Sequence, residues 1–173
     1  KQNIALKNTG LFSSLFEDYI SQSNQVKPFY NFHFSKQDFS EYLSKNSFDY
    51  LNRTVLVKAL QSQAKLVANT SSASLAHIQL LENNNTYTVT TGHQLCLFTG
   101  PLYFIYKIAS TINLCKALQA NFTDKHFVPV YWMASEDHDF EEINHANVFG
   151  KKVIWNSKQN GSVGEFSTEG IQE

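Results

Sequence analysis

Apolar residues recur along the first half of the chain at helical spacing. Leu11, Phe12, Leu15, Phe16, Tyr19 and Ile20 share one stripe, as a 3.6-residue period demands. Pro28 ends that pattern, and an aromatic link follows through Phe29, Tyr30, Phe32 and Phe34. Ser35 stands where an N-cap belongs, ahead of a helix carrying Phe39, Tyr42 and Leu43. A further helix is expected over residues 49–68, with Leu56, Leu60 and Val67 on one face. Ser71 or Ser72 caps the next, which carries Leu75, Ile78 and Leu81 and ends near Asn83, Asn84 and Asn85.

The period then changes. Thr86-Tyr87-Thr88-Val89-Thr90-Thr91 is β-branched and aromatic, which predicts a strand. It is expected to stop at Gly92. A helix follows with Pro101 at its first turn and a stripe of Leu102, Ile105, Ile108, Ala109, Ile112, Cys115 and Leu118. Residues 127–134 are apolar without alternation, the mark of a strand covered on both faces. Pro129 restricts that strand to an edge, or itself to a place near the start. Strand, helix and strand make a βαβ unit, whose crossover should be right-handed. Residues 146–149 and 152–155 read as short strands around a turn at Gly150. The expected class is α/β: a helical region over residues 1–85 packs on a core begun in residues 86–173.

Composition narrows the function classes. The chain has 173 residues, 42% hydrophobic and 17% charged, with net charge −1. Disorder requires the opposite balance, and a general polyanion binder needs a basic surface, so no nucleic-acid partner is expected. Cys96 and Cys115 fit neither a disulfide framework nor a zinc-ribbon spacing. Both read as small buried hydrophobes, and Cys96 has no obvious base beside it in sequence. No apolar run approaches a membrane span and no signal peptide is visible, so the expectation is a cytoplasmic protein without a membrane partner. Lys1 is not a start methionine, and the polar tail over residues 161–173 ends without a strand or helix. The chain therefore reads as a fragment of a longer protein, inactive alone.

Ligands of open α/β sheets bind beyond the carboxyl ends of the strands. The first strand ends in Thr91, Gly92, His93 and Gln94; the second leads into Glu136, Asp137, His138 and Asp139. If the strands are neighbours, these clusters meet at one mouth. Gly92 permits close backbone approach, and Thr99, Gly100 and Pro101 open a helix whose free N–H groups favour an anion. The loop is neither a Walker A sequence nor Gly-x-Gly-x-x-Gly. Lys107 can reach a phosphate, and Tyr103 and Tyr106 either line a pocket or pack. Glu136, Asp137, Asp139, Glu141 and Glu142 surround His138. Such crowding suits general acid/base work or amine binding, and equally a favourable helix N-terminus. Asn144 and His145 follow. His138, His145 and nearby acids match no familiar metal spacing, so no metal ligand is assigned. A metal-dependent hydrolase or nucleotidyl enzyme, and a non-catalytic binding module, stay open as alternatives.

Two runs carry a resemblance. Thr91-Gly92-His93-Gln94, Leu97-Phe98-Thr99-Gly100-Pro101-Leu102-Tyr103 and Ile105-Tyr106-Lys107 form the first. Pro129-Val130, Trp132, Ala134 and the unbroken stretch of residues 136–145 form the second. Together they closely resemble the bacillithiol biosynthesis cysteine-adding enzymes, BshC. The family commonly has glutamine where this chain has His93, and a small residue where it has Cys96. The resemblance implies a Rossmann-like core, several times more chain, and a homodimer built through a coiled coil. It implies a ligase that joins the carboxyl group of cysteine to the amine of glucosaminyl-malate, the last step of bacillithiol synthesis. An ATP/ADP-type nucleotide with Mg is the expected means of activation. On this reading Asp137, His138 and Asp139 are catalytic. Thr91, Gly92, His93, Gln94, Thr99, Gly100, Lys107, Glu136 and Asn144 bind substrate or nucleotide.

Overall fold

The structure, a computed structural model, describes residues 4–46 and 52–171. Contacts divide the chain into two units, Lys1–Asp49 and Tyr50–Glu173.

In the first unit, α1 (Ser14–Ile20) begins where Ser13 Oγ accepts the Phe16 N–H. Leu11 and Phe12 precede it, so only the later part of the predicted stripe is helical. Pro28 lies in a 3-10 turn, Lys27–Phe29. Ser35 caps α2 (Lys36–Lys45) by accepting the Asp38 N–H, as the pattern predicts. The aromatic link closes around His33, which is buried. The His33 ring bridges the Gln22 side chain and the Tyr19 carbonyl, each at 3.1 Å, and lies 3.9 Å from the Phe34 ring.

The second unit opens with α3 (Arg53–Leu66) and α4 (Ser72–Leu80). The predicted start of α3 at residue 49 lies outside the described residues. Ser71 is the cap of α4 and accepts the Ser74 N–H. Two strands follow, β1 (Thr86–His93) and β2 (His126–Met133), joined by α5 (Leu102–Asn121). They pair in parallel, from Thr86↔His126 to His93↔Met133. The βαβ unit is therefore present, and the fold is α/β with a Rossmann-like parallel pair. Among the described residues β2 has one strand neighbour, which makes it an edge that admits Pro129.

Alternation along β2 explains the layers. Val128 and Val130 pack against Val57, Leu60, Ile78, Leu80 and Leu81 of the α3–α4 side. Phe127 and Tyr131, on the other face, meet Phe122 and Phe104 of the α5 segment. Each fully buried aliphatic side chain contributes roughly 1.5–3 kcal/mol. Arg53 fastens this arrangement: its guanidinium donates to the carbonyls of Leu81 and Thr86, both at 2.9 Å.

Three expectations change. The buried face of α3 runs through Val57, not Leu56 and Val67, which are exposed; Val67 ends the helix as its C-cap. The buried stripe of α5 is Thr111, Cys115 and Leu118, while Leu102, Ile105 and Ile112 are exposed. A two-strand sheet is narrower than the apolar face of that helix. Third, β1 does not stop at Gly92. It continues through His93, because Gly92 pairs with Trp132 in extended conformation. A Cβ at Gly92 would lie 2.8 Å from the Trp132 carbonyl oxygen. Glycine is required there by close packing of strands, not by a turn.

After β2 come α6 (Phe140–Ile143) and the antiparallel hairpin β3 (His145–Val148) and β4 (Lys151–Ile154). Its two-residue turn has φ +48° at Phe149 and +76° at Gly150, the sign pattern of a type I′ hairpin. The tail is less loose than its polarity suggests. A 3-10 turn, Val163–Glu165, buries Val163 and donates to the carbonyls of Asp137 (2.8 Å) and Ser135 (2.9 Å).

Candidate functional site

The parallel register brings the ends of β1 and β2 level, and the two polar clusters meet there. A cavity of about 320 Å³ lies between them, lined by Gly92, His93, Gln94, Tyr103, Lys107, Trp132, Ala134, Asp137 and Glu142. Gln94 Nε2 donates to Glu142 Oε2 at 2.6 Å, across 48 positions of sequence.

Local chemistry explains how α6 presents Glu142. Asp137 Oδ1 accepts the N–H groups of His138 (2.6 Å) and Asp139 (3.1 Å). Asp139 Oδ1 in turn accepts the Glu142 N–H at 3.2 Å and caps α6. In a full capping box the glutamate side chain returns to the N-cap N–H. Here Asp137 already occupies that N–H, so the Glu142 carboxylate is left to reach Gln94.

His93 is buried, and its Nε2 lies 2.6 Å from Tyr103 Oη and 3.4 Å from Glu142 Oε1. Tyr103 Oη donates to Glu142 Oε1 at 3.4 Å. With the phenol proton on Glu142, a neutral His93 donates through Nε2 and accepts at Nδ1. Nδ1 faces Cys96 Sγ at 3.5 Å. Thiol, imidazole, phenol, carboxylate and carboxamide thus form one chain of contacts. The sequence suggested no base beside Cys96; tertiary structure supplies His93. Burial, and then the charge of Glu142, raise the Cys96 thiol and the Tyr103 phenol above their ordinary pKa values. Gln94 is 6% exposed, and its Oε1 has no hydrogen-bond partner among the described residues. A buried acceptor left so costs about 1–3 kcal/mol.

The remaining predicted residues are distributed around this cavity. Lys107 Nζ donates to the Gly92 carbonyl at 2.8 Å and lies 5.7 Å from the Tyr103 ring centroid. Thr91 lines an adjoining cavity of about 450 Å³ with Lys107, Tyr103 and Tyr106. Glu136 accepts from Trp132 Nε1 at 3.3 Å, and Asn144 Oδ1 lies 3.2 Å from His145 Nδ1. His138 is exposed beside Asp137. Phe98, Thr99 and Gly100 all have positive φ, at +49°, +71° and +59°. Two successive non-glycine residues in that region store strain. A Cβ at Gly100 would lie 2.5 Å from Cys96 Cβ, so Gly100 yields its space to Cys96. The Cβ spaces of Gly92 and Gly100 are both taken by protein atoms, so each glycine is needed for close packing. Among the described residues no group of three or more His, Cys, Asp or Glu is arranged to hold a metal ion, and no helix is long and apolar enough to cross a membrane.

Trp132 and Ala134 are cavity residues that the pattern gave no site role, and Glu142 was read only as one of the acids around His138. For Glu142 a signal existed in the Asp139-x-x-Glu142 spacing, which is that of a capping box. The orientation of the side chain was not legible, since it depends on Asp137.

A family model described as the N-terminal Rossmann-like domain of bacillithiol biosynthesis BshC matches residues 1–173. A protein of Flavobacterium johnsoniae, named as a candidate cysteine ligase BshC, is 48% identical over 172 residues, which cover 98% of this chain and 32% of that protein. A Cytophaga hutchinsonii protein of the same name is 46% identical over 172 residues, 99% of this chain and 33% of the relative. One from Heliobacterium modesticaldum is 33% identical over 161 residues, 87% of this chain and 29% of the relative. The chain thus spans about 32% of the length of its nearer curated relatives.

Proposed function

Because the chain belongs to the bacillithiol biosynthesis BshC family, as its N-terminal Rossmann-like domain, we propose that it carries the amine-handling half of a cysteine ligase. The reaction joins the carboxyl group of cysteine to the amine of glucosaminyl-malate, and the displaced carboxyl oxygen would leave on a phosphate group of the activating nucleotide. Amide formation from a free carboxylate is uphill in water, so that carboxyl must be activated before the amine attacks. The attacking amine must then lose a proton.

The observation that supports this reading is the meeting of Gln94 and Glu142 beneath one cavity that Asp137 also lines. An ammonium group entering there meets carboxylates, and a carboxylate is the group needed to accept its proton. In this reading Asp137 faces the amine. His138, exposed beside it, passes the proton to solvent, and Asp139 acts through α6 by holding Glu142 in place. Gly92 and Gly100 give their Cβ spaces to Trp132 and Cys96. ATP with Mg remains the activating chemistry we propose for the whole enzyme, without a seat assigned among these residues.

The test is mass-spectrometric detection of bacillithiol from cysteine and glucosaminyl-malate by the full protein, with and without ATP and Mg. Product is expected, with Asp137→Asn lowering kcat at least about tenfold. Absence of product under every condition overturns the ligase reading.

A further inference from the structure

We propose that the cavity at the ends of β1 and β2 is a seat for a primary ammonium group, with Glu142 as its counter-charge and Tyr103 and His93 as positioning residues. This deepens the ligase reading and rests on it for the biological identity of the amine.

Three observations converge. First, the cavity walls offer acceptors. The Glu142 carboxylate is held from behind by Gln94 Nε2 at 2.6 Å and Tyr103 Oη at 3.4 Å. Its side chain is still 40% exposed. A carboxylate has about four acceptor directions, so these donors leave capacity for an ammonium. Second, the formal charges favour a cation. The carboxylates of Asp137 and Glu142 line the cavity with the ammonium of Lys107 and the imidazole of His93, which leaves one negative charge to be met when the imidazole is neutral. Third, an alkylammonium already rests against a carbonyl and a ring of this wall. Lys107 Nζ donates to the Gly92 carbonyl at 2.8 Å and lies 5.7 Å from the centroid of the Tyr103 ring, within cation–π range.

The positioning role follows from the contacts: Tyr103 Oη lies between His93 Nε2 at 2.6 Å and Glu142 Oε1 at 3.4 Å, so the phenol and the imidazole together orient the carboxylate. Removing either leaves the carboxylate without one of its fixed orientations.

The ammonium can come from an amino acid or an amino sugar, and paired ligands separate the two. Calorimetric titration of the protein compares L-cysteine with 3-mercaptopropionate, which lacks the amine, and with cysteamine, which lacks the carboxylate. It also compares D-glucosamine with D-glucose. At least one amine is expected to bind about tenfold or more tightly than its amine-free partner, the value of one charge-assisted hydrogen bond. If the source is an amino acid, cysteine binds more tightly than cysteamine, through Lys107. If it is an amino sugar, glucosamine carries the selectivity. Glu142→Gln should abolish the amine preference. Tyr103→Phe should lower the ratio of amine to amine-free binding about threefold, whereas a purely structural loss weakens both ligands alike. Equal binding of amine and amine-free ligands, no binding of any amine, or an unchanged ratio in a folded Glu142→Gln protein overturns the proposal. Lost amine selectivity with bacillithiol still formed refutes this seat alone. Retained selectivity with no product refutes the ligase reading alone.

Discussion

At the scale of single residues, two glycines and one cysteine carry the tightest constraints. A methyl group at Gly92 would meet the Trp132 carbonyl at 2.8 Å, a backbone atom that cannot swing aside. Gly92→Ala should therefore destabilise the protein by about 1–3 kcal/mol, the usual range for overpacking, read from the midpoint of denaturant unfolding. An unchanged midpoint would mean the strands part at no cost. Cys96 offers a pH test. Its thiol pKa is raised by burial and then by the Glu142 charge, so the folded state holds that proton to higher pH than the unfolded chain does. The associated stability is present below the unfolded thiol pKa and is lost as pH rises through the folded one. Alkylation of Cys96 by iodoacetamide should set in at higher pH than for a free thiol. Glu142→Gln should move that onset down, because one opposing charge is gone.

At the scale of elements, α6 shows how a four-residue helix directs a side chain. Asp139 caps it, and Asn caps as well as Asp while Ala does not. Asp139→Ala should cost about 1 kcal/mol in stability and loosen Glu142. Asp139→Asn should keep both stability and turnover within about twofold, since the carboxamide oxygen still accepts the Glu142 N–H. Turnover measured on the two variants separates a cap from a catalytic charge; an inactive but stable Asp139→Asn protein would make the charge itself essential. The caps Ser35 and Ser71 were legible, because an N-cap depends only on residues within one turn. The buried face of α3 was not. Leu56 and Val57 are adjacent and both apolar, and only the position of Val128 decides which one is covered.

At the scale of the whole molecule, the second unit is held by helices on both faces of a two-strand parallel pair. Val57, 3% exposed, stands at the junction of α3, α4 and β2. Val57→Ala should lower unfolding stability by about 2 kcal/mol through lost burial and a residual cavity, as measured by chemical denaturation. Around the mouth, Trp132 and Met133 are 61% and 56% exposed, so its outer walls are not supplied by residues 52–171. The relatives continue for about twice this length again, since this chain covers 32% of them.

The periodicities, the caps, the βαβ order and the place of the mouth followed from the sequence by itself. Each depends on spacing within one element or on the rule that parallel strands end at the same edge. Tertiary structure alone decided which side chains meet there. The contact of Gln94 with Glu142 joins segments that follow different strands, and it depends on the register that sets Gly92 opposite Trp132. A one-residue slip in that register would turn alternate side chains to the other face. It would scatter the cluster while leaving every local pattern intact.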